Sequence, residues 1–225
     1  MTKTIGVLHT SFVFLNVEPV FRNLFTELLP GVKIVDFVDS EVLANMQRKG
    51  VIEPSHIQRM VYLAMAAQSA GVDLIFSVCS SLGPSMDVAR KMVNTPIIKI
   101  DDPMTQKAVA EGARIGLMAT VPTTLPPTAG LMQQWAAEAG KQVQITQLLC
   151  PGAFDILMSG DRERHDQMVL DGARELAPQV DLIVLAQASM SRLAPALAQD
   201  TGKDVLSSPR LAVEHLRDLL SRMPE

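Results

Sequence analysis

Cys79 is the side chain of this protein best placed for proton transfer or nucleophilic attack. It directly follows the apolar run Val72-Asp73-Leu74-Ile75-Phe76-Ser77-Val78 and precedes Ser80-Ser81. A thiol held near its thiolate form is both a base and a nucleophile. The same setting occurs a second time. Val180-Asp181-Leu182-Ile183-Val184-Leu185-Ala186-Gln187 repeats that run 108 residues later, and Ile115-Gly116-Leu117-Met118-Ala119-Thr120 repeats Ile5-Gly6-Val7-Leu8-His9-Thr10 at an offset of 110. Between the halves, the chemical disagreement falls on the cysteine, whose place is taken by Gln187. An amide donates and accepts hydrogen bonds but is no proton-transfer base at neutral pH. Two such halves imply a pseudo-twofold molecule with its site in the cleft between them, Cys79 facing it from one side and Gln187 from the other.

His9 ends the first apolar run. If the runs are neighbouring strands, it lies close to Cys79, where it can depress the thiol pKa or act as a base itself. In open parallel sheets, ligands bind outside the carboxyl ends of the strands. The candidates for substrate binding are therefore Thr10, Ser11, Ser80, Ser81, Thr120, Thr123, Thr124, Ala188 and Ser189. Small hydroxyls and backbone N–H groups ahead of a helix suit a carboxylate. Each also has a plainer reading. A buried cysteine is commonly a small apolar core residue, and threonines cap helices and close turns. Gln187 is either aimed at a substrate or part of a satisfied network, because a buried amide without partners is costly. Cys150 matches neither motif position. His56 and His165 lie 23 and 22 residues before Cys79 and Gln187, near helix starts, where a shared structural role suffices. His215 reads as a surface residue. Asp101-Asp102-Pro103 reads as a helix N-cap, and no metal site is expected.

The elements that must hold these residues alternate between strand and helix. Strands are expected over 4–9, 32–37, 74–78, 97–100, 114–119, 143–148 and 182–186, as short apolar or β-branched runs. Helices are expected over 18–29, 54–70, 85–92, 104–111, 128–139 and 162–176, several closed by Gly or Pro. A further amphipathic helix over 210–220 has no counterpart in the repeat and is expected to pack on the first half. The pattern predicts an α/β protein with parallel sheets. The boundaries place one lobe at 1–98 plus 208–225 and the other at 99–207.

Composition narrows the function classes. The chain has 225 residues, 48% of them hydrophobic, and a net charge of −4. Without runs of Lys or Arg, nucleic acid and anionic membrane are not expected partners. No apolar stretch approaches the roughly 20 residues needed to span a bilayer. With no secretory h-region at the N-terminus and only two cysteines, a cytoplasmic protein without a disulfide framework is expected. Neither GxGxxG nor GxxxxGK[ST] occurs, so nucleotide binding is unsupported.

Cysteine after an apolar strand, the Ser-Ser that follows it, and Ala119-Thr120-x-x-Thr123-Thr124 in the second half resemble the aspartate/glutamate/hydantoin racemase superfamily. The resemblance covers most of the chain. It implies two Rossmann-like lobes about a pseudo-twofold axis, no cofactor, a small carboxylate substrate and a homo-oligomer, a dimer or larger. It also implies one cysteine per lobe, one thiolate removing a proton and the opposite thiol returning it. The first maps onto Cys79. The second maps onto Gln187, within Leu185-Ala186-Gln187-Ala188-Ser189, where the family usually has Leu-Gly-Cys-Thr. The superfamily also contains a cis–trans isomerase and a decarboxylase. The expectation is thus a cofactor-independent isomerase or racemase-like enzyme working through a single thiol on an amino acid, hydroxy acid or hydantoin-like compound. The alternatives are a decarboxylase of the same superfamily or a non-catalytic carboxylate binder.

Overall fold

Every apolar run of the first half becomes a strand of one parallel sheet. These strands are β1 (Thr4–His9), β2 (Lys33–Val38), β3 (Leu74–Ser77) and β4 (Ile97–Lys99), in the order β2-β1-β3-β4. The second half repeats the sheet with β5 (Arg114–Ala119), β6 (Gln144–Leu149), β7 (Leu182–Leu185) and β8 (Asp204–Ser207), ordered β6-β5-β7-β8. The register repeats too: Ile5 lies opposite Leu74, and Ile115 opposite Leu182. So do single hydrogen bonds. Asp73 N donates to Thr4 O as Asp181 N does to Arg114 O, and Val78 N donates to Leu8 O as Ala186 N does to Met118 O. The carboxylates of Asp73 and Asp181 return the favour by accepting from Thr4 N and Arg114 N.

The structure is a computed structural model and describes residues 2–17 and 19–223. Its contacts divide the chain into two units, residues 1–100 with 209–225 and residues 101–208. The first unit contains α1 (Val20–Leu28), α2 (Val42–Lys49), α3 (Pro54–Ser69) and α4 (Gly83–Ala89). The second contains α5 (Asp102–Glu111), α6 (Leu125–Glu138), α7 (Ala153–Met158), α8 (Arg162–Leu176) and α9 (Ala194–Thr201). The last helix, α10 (Ser208–Arg222), is held to α1 by Arg210, which donates to Glu27 at 2.9 Å.

Most expected elements lie within one to three residues of their observed bounds. Glu18, the expected start of the first long helix, lies outside the described residues. Val13–Val17 forms a π-helical turn ahead of α1 that hydrophobic periodicity did not anticipate. α2, α7, α9 and β8 were not anticipated either. The three helices are only six to eight residues long, too short for a 3.6-residue period to stand out. α3 begins at a proline and is closed by Gly71 in the left-handed region, φ +74°.

Strand alternation gives the first sheet two different faces. Ile5, Val7 and His9 share a face with Ile34, Asp36, Leu74 and Phe76. α1 covers it, with Phe21 and Phe25 against Phe76 at ring-centroid distances of 5.6 and 6.4 Å. Leu8 and Ile75 lie on the opposite face, packed with Met60, Ala64 and Ala67 of α3 and Met86 of α4. In the second sheet Met118, Ile183 and Leu185 pack against Val169, Ala173 and Leu176 of α8. Close helix-to-strand approach there requires Gly116. A Cβ on it would stand 2.6 Å from Leu176 Cδ2 and 2.9 Å from Cγ. Its repeat equivalent Gly6 has more room, with Ala67 Cβ at 3.2 Å.

Candidate active site

The backbone presents Cys79 and Gln187 in the same way. Each lies two residues beyond its central strand, one step past the amide that extends the pairing with β1 or β5. Cys79 is 8% exposed and belongs to the apolar cluster that includes Leu8, Ile75, Leu82 and Met86. Ser80 O accepts from Gly83 N at 3.0 Å, turning the chain into α4, and Ser81 is buried beside it. Neither Cys79 nor Cys150 is in a disulfide.

Gln187 resolves into a network. Its Oε1 accepts from Thr120 N at 2.6 Å, from Val121 N at 2.9 Å and from Thr120 Oγ1 at 3.1 Å. Because two of these partners are N–H groups that can only donate, the atom they meet must be the amide oxygen, so Nε2 points away from them. Nε2 forms no hydrogen bond to a described residue. This arrangement bears on the Thr120 loop, expected to bind substrate. Its two amides would suit an anion, but Gln187 already fills them. Thr124 Oγ1 is likewise committed, donating to Val121 O at 2.8 Å, while Thr123 is half-buried beside it. Ala188 and Ser189 open a 3-10 turn that runs to Leu193, and both are buried.

His9, expected close to Cys79, has its side-chain hydrogen bond elsewhere. His9 Nε2 hydrogen-bonds Asp36 Oδ1 at 2.9 Å. Nδ1 is buried without a partner among the described residues. The ring lies on the α1 face, whereas Cys79 packs with Leu8 and Ile75 of the other face. Burial pushes the His9 pKa below its ordinary value, against the opposing pull of Asp36. Thr10, next to it, is buried, and Ser11 Oγ accepts from Val13 N at 3.4 Å.

Other residues separate cleanly. Cys150 sits in the second unit's core, where burial, then Glu175, pushes its thiol up to about 11. It stays protonated and is a packing residue. His56 is structural: its Nδ1 accepts from Glu53 N at 2.9 Å and Nε2 meets Asn45 Oδ1 at 2.7 Å, pinning the start of α3. His165 Nδ1 meets Asp166 Oδ1 at 2.8 Å, and Asp166 also pairs with Arg192. Asp101 occupies the N-cap position of α5, but its carboxylate makes no cap bond. Sequence reasoning missed Asp36 and the two arginines near the carboxyl edges, Arg59 paired with Asp39 and Arg192 paired with Asp166. Burial pushes both aspartates up, and their arginines outweigh it, holding each carboxyl below its usual range. Among the described residues, no group of three His, Cys, Asp or Glu side chains is arranged to hold a metal ion. No described helix is long and apolar enough to cross a membrane.

Two α/β units, each a four-stranded parallel sheet with matching strand order and register, and one cysteine at the carboxyl end of the first unit's central strand define a duplicated α/β architecture. The chain belongs to the Asp/Glu/Hydantoin racemase family, whose sequence pattern matches residues 32–216. It is 30% identical over 133 residues to a glutamate racemase of Picosynechococcus, a match covering 59% of this chain and 45% of that protein. The match therefore spans less than half the length of that relative. Among solved structures, the chain resembles a glutamate racemase from Bacillus anthracis with a TM-score of 0.75, 17% identity and coverage of 97% of this chain and 82% of that one. A glutamate racemase from Francisella tularensis, solved in complex with D-glutamate, gives a TM-score of 0.76 at 15% identity over 98% and 81%. An allantoin racemase from Klebsiella pneumoniae gives 0.69 at 20% identity over 98% and 88%. At these identities the structural likeness is one of fold.

Proposed function

We propose that this protein is a cofactor-independent isomerase-type enzyme acting on a small carboxylate substrate, with Cys79 the sole proton-transfer thiol and Gln187 a fixed hydrogen-bond donor. One observation carries the reading: Gln187 Oε1 is locked by three donors, leaving Nε2 as the only free function of that side chain. An N–H group held in place stabilises developing negative charge on an enolate or carboxylate oxygen, and it does so without moving a proton. Cys79 as thiolate removes the α-proton, the electron pair moves onto the adjacent carbonyl, and the thiol returns the proton from the same face, to the same carbon for exchange or to the neighbouring atom of the enolate for tautomerisation or a 1,2-shift. The net outcome is exchange, tautomerisation or a 1,2-shift rather than inversion. Run on a substituted malonate, the same thiol protonates the carbanion left by loss of carbon dioxide. A homo-oligomer and a cytoplasmic location complete the proposal, carried over from the family and from the composition.

The test is α-proton exchange in deuterated water, followed by NMR on optically pure amino acids, hydroxy acids and hydantoins, with loss of carbon dioxide measured on substituted malonates. Wild type exchanges or decarboxylates at least one compound, and Cys79→Ala loses at least a hundredfold in rate, within the range that general acid–base groups contribute. Rapid racemisation that survives Cys79→Ala refutes the thiol assignment. The burial of Cys79 in an apolar cluster favours a second reading, a binder of the same ligands. In that case carboxylates raise the melting temperature and no compound turns over.

A further inference from the structure

The first unit departs from the second in how its edge strand is covered. In the second unit, α6 is fourteen residues long and packs on both β5 and β6. Its counterpart α1 has nine residues, which makes it ~7.5 Å shorter at the helical rise per residue. The edge strand β2 is left with no fully buried position, and a cavity of about 460 Å³ lies between it and α1. That volume falls in the range of small-molecule sites. Phe14, Phe21, Phe25, Leu29 and Ile34 make its apolar walls.

Two charges of opposite sign stand on this lining, Arg22 from α1 and Asp36 from β2. The structure does not pair them with each other. Asp36 Oδ1 is bonded to His9 Nε2 at 2.9 Å, and Arg22 forms no ion pair among the described residues. His9 is 2% exposed, so it acts from behind the wall and not as a contact for a ligand. A carboxylate can only accept, so His9 donates, and its bond holds the half-exposed Asp36 side chain in place with Oδ2 left over. The Arg22 guanidinium is a fork of donors shaped for a carboxylate. A ligand carrying one charge leaves the opposite charge of the lining unanswered. A ligand carrying both, on an apolar body, answers each of them.

We propose that the cavity between α1 and β2 is a second small-molecule site, separate from Cys79, that binds zwitterionic α-amino acids with a ring-sized apolar side chain. Arg22 takes the ligand carboxylate, Asp36 Oδ2 takes the ammonium, and the ring packs among the phenylalanines. L-Phenylalanine is the probe. Phenethylamine lacks its carboxylate, 3-phenylpropanoate its ammonium, and glycine its ring.

In amide-resolved NMR titrations of the full chain at pH 7.5, phenylalanine is expected to shift the backbone signals of α1 and β2 saturably. Phenethylamine and 3-phenylpropanoate bind there at least tenfold more weakly, as loss of one charge-assisted hydrogen bond requires, and glycine does not bind. Arg22→Gln lowers the phenylalanine affinity to that of phenethylamine on wild type, and Asp36→Asn lowers it to that of 3-phenylpropanoate. Thr26→Trp, at an exposed position of α1 on the lining, fills the cavity and abolishes binding while the melting temperature stays near that of wild type. The proposal is overturned if phenylalanine leaves the α1 and β2 signals unmoved or shifts only those around Cys79. It is overturned equally if either singly charged analogue binds as well as phenylalanine, or if binding survives both Arg22→Gln and Asp36→Asn. Because the readout is binding alone, it stands whether or not Cys79 proves catalytic.

Discussion

Replacing Gln187 by methionine keeps the length and apolar stem of the side chain and removes the oxygen that three donors share. The amides of Thr120 and Val121, bonded at 2.6 and 2.9 Å, then have no acceptor, while the Thr120 hydroxyl can rotate to find another. Thr120 is 3% exposed and Val121 8%, so water reaches these amides poorly. An unsatisfied buried donor costs about 1–3 kcal/mol, which puts the two amides together at about 2–4 kcal/mol once partial relaxation of the loop is allowed. For a chain of this size that corresponds to a melting-temperature drop of roughly 5–15 °C. Urea unfolding followed by circular dichroism and by tryptophan fluorescence measures it, since Trp135, the chain's single tryptophan, lies on α6 just beyond this loop. Gln187→Glu is the companion variant. Its carboxylate keeps an acceptor for all three donors, which also hold its pKa down, so stability at pH 7 stays within about 1 kcal/mol of wild type. It has no N–H to offer a substrate, so turnover falls. A Gln187→Met protein within about 0.5 kcal/mol of wild type refutes the structural role, being inside the range of an ordinary surface change. Undiminished turnover in Gln187→Glu refutes the donor role.

Gly116→Ala is expected to cost about 1–3 kcal/mol through overpacking against Leu176, whereas Gly6→Ala, whose added Cβ would meet its nearest atoms at 3.2 Å rather than 2.6 Å, costs less; urea midpoints showing the reverse order contradict the packing assigned to the two sheets. His9 gives a pH signature. Its folded pKa lies below the unfolded value of 6.5, so as pH falls through that value the unfolded chain binds a proton the folded chain resists, and stability declines. Between pH 7.5 and 5 the unfolding free energy from urea titrations falls more steeply for wild type than for His9→Gln, by a slope of at most about 1.4 kcal/mol per pH unit, and equal slopes remove His9 from the acid sensitivity.

The strands were the most legible part of the chain because the central ones are buried on both faces. Leu74–Ser77 and Leu182–Leu185 have no exposed position, so they read as continuous apolar runs. β8 escaped notice because Asp204-Val205-Leu206-Ser207 is short and half polar. The repeat nonetheless held the signal: the offset of 108 that carries Ile75 to Ile183 also carries Ile97 to Val205, and the two pairs are in register. At the candidate site, the sequence limited Gln187 to two roles, and geometry was needed to find that its oxygen belongs to a satisfied network. The Asp36 partner of His9 was hidden by a matter of parity. His9 and Cys79 lie on neighbouring segments at the same end of the sheet, but alternation sends the His9 ring toward β2, where Asp36 stands two residues along the same face. A carboxylate inside the otherwise apolar run Ile34-Val35-Asp36-Phe37 was the available clue, since a charge in a strand needs a partner nearby.

The exchange of thiol for amide changes two properties at one position. A cysteine side chain ends one bond beyond Cβ, whereas glutamine extends far enough from the end of β7 to reach the amides that follow β5. In the first unit, where Cys79 occupies the equivalent place, the loop after β1 turns on Ser11 into the π-helical segment. Gln187 therefore supplies the loop after β5 with an internal acceptor that the shorter thiol side chain does not extend far enough to provide. Ground-state carboxylate binding by the Thr120 amides and the observed network exclude each other, because one oxygen already uses both donors. On the function proposed above, Gln187 Nε2, on a side chain held by its oxygen, serves to stabilise charge rather than to move a proton. The asymmetry between the halves is thus built into how each loop satisfies its own backbone, and restoring a thiol at residue 187 by itself leaves two buried amides without acceptors.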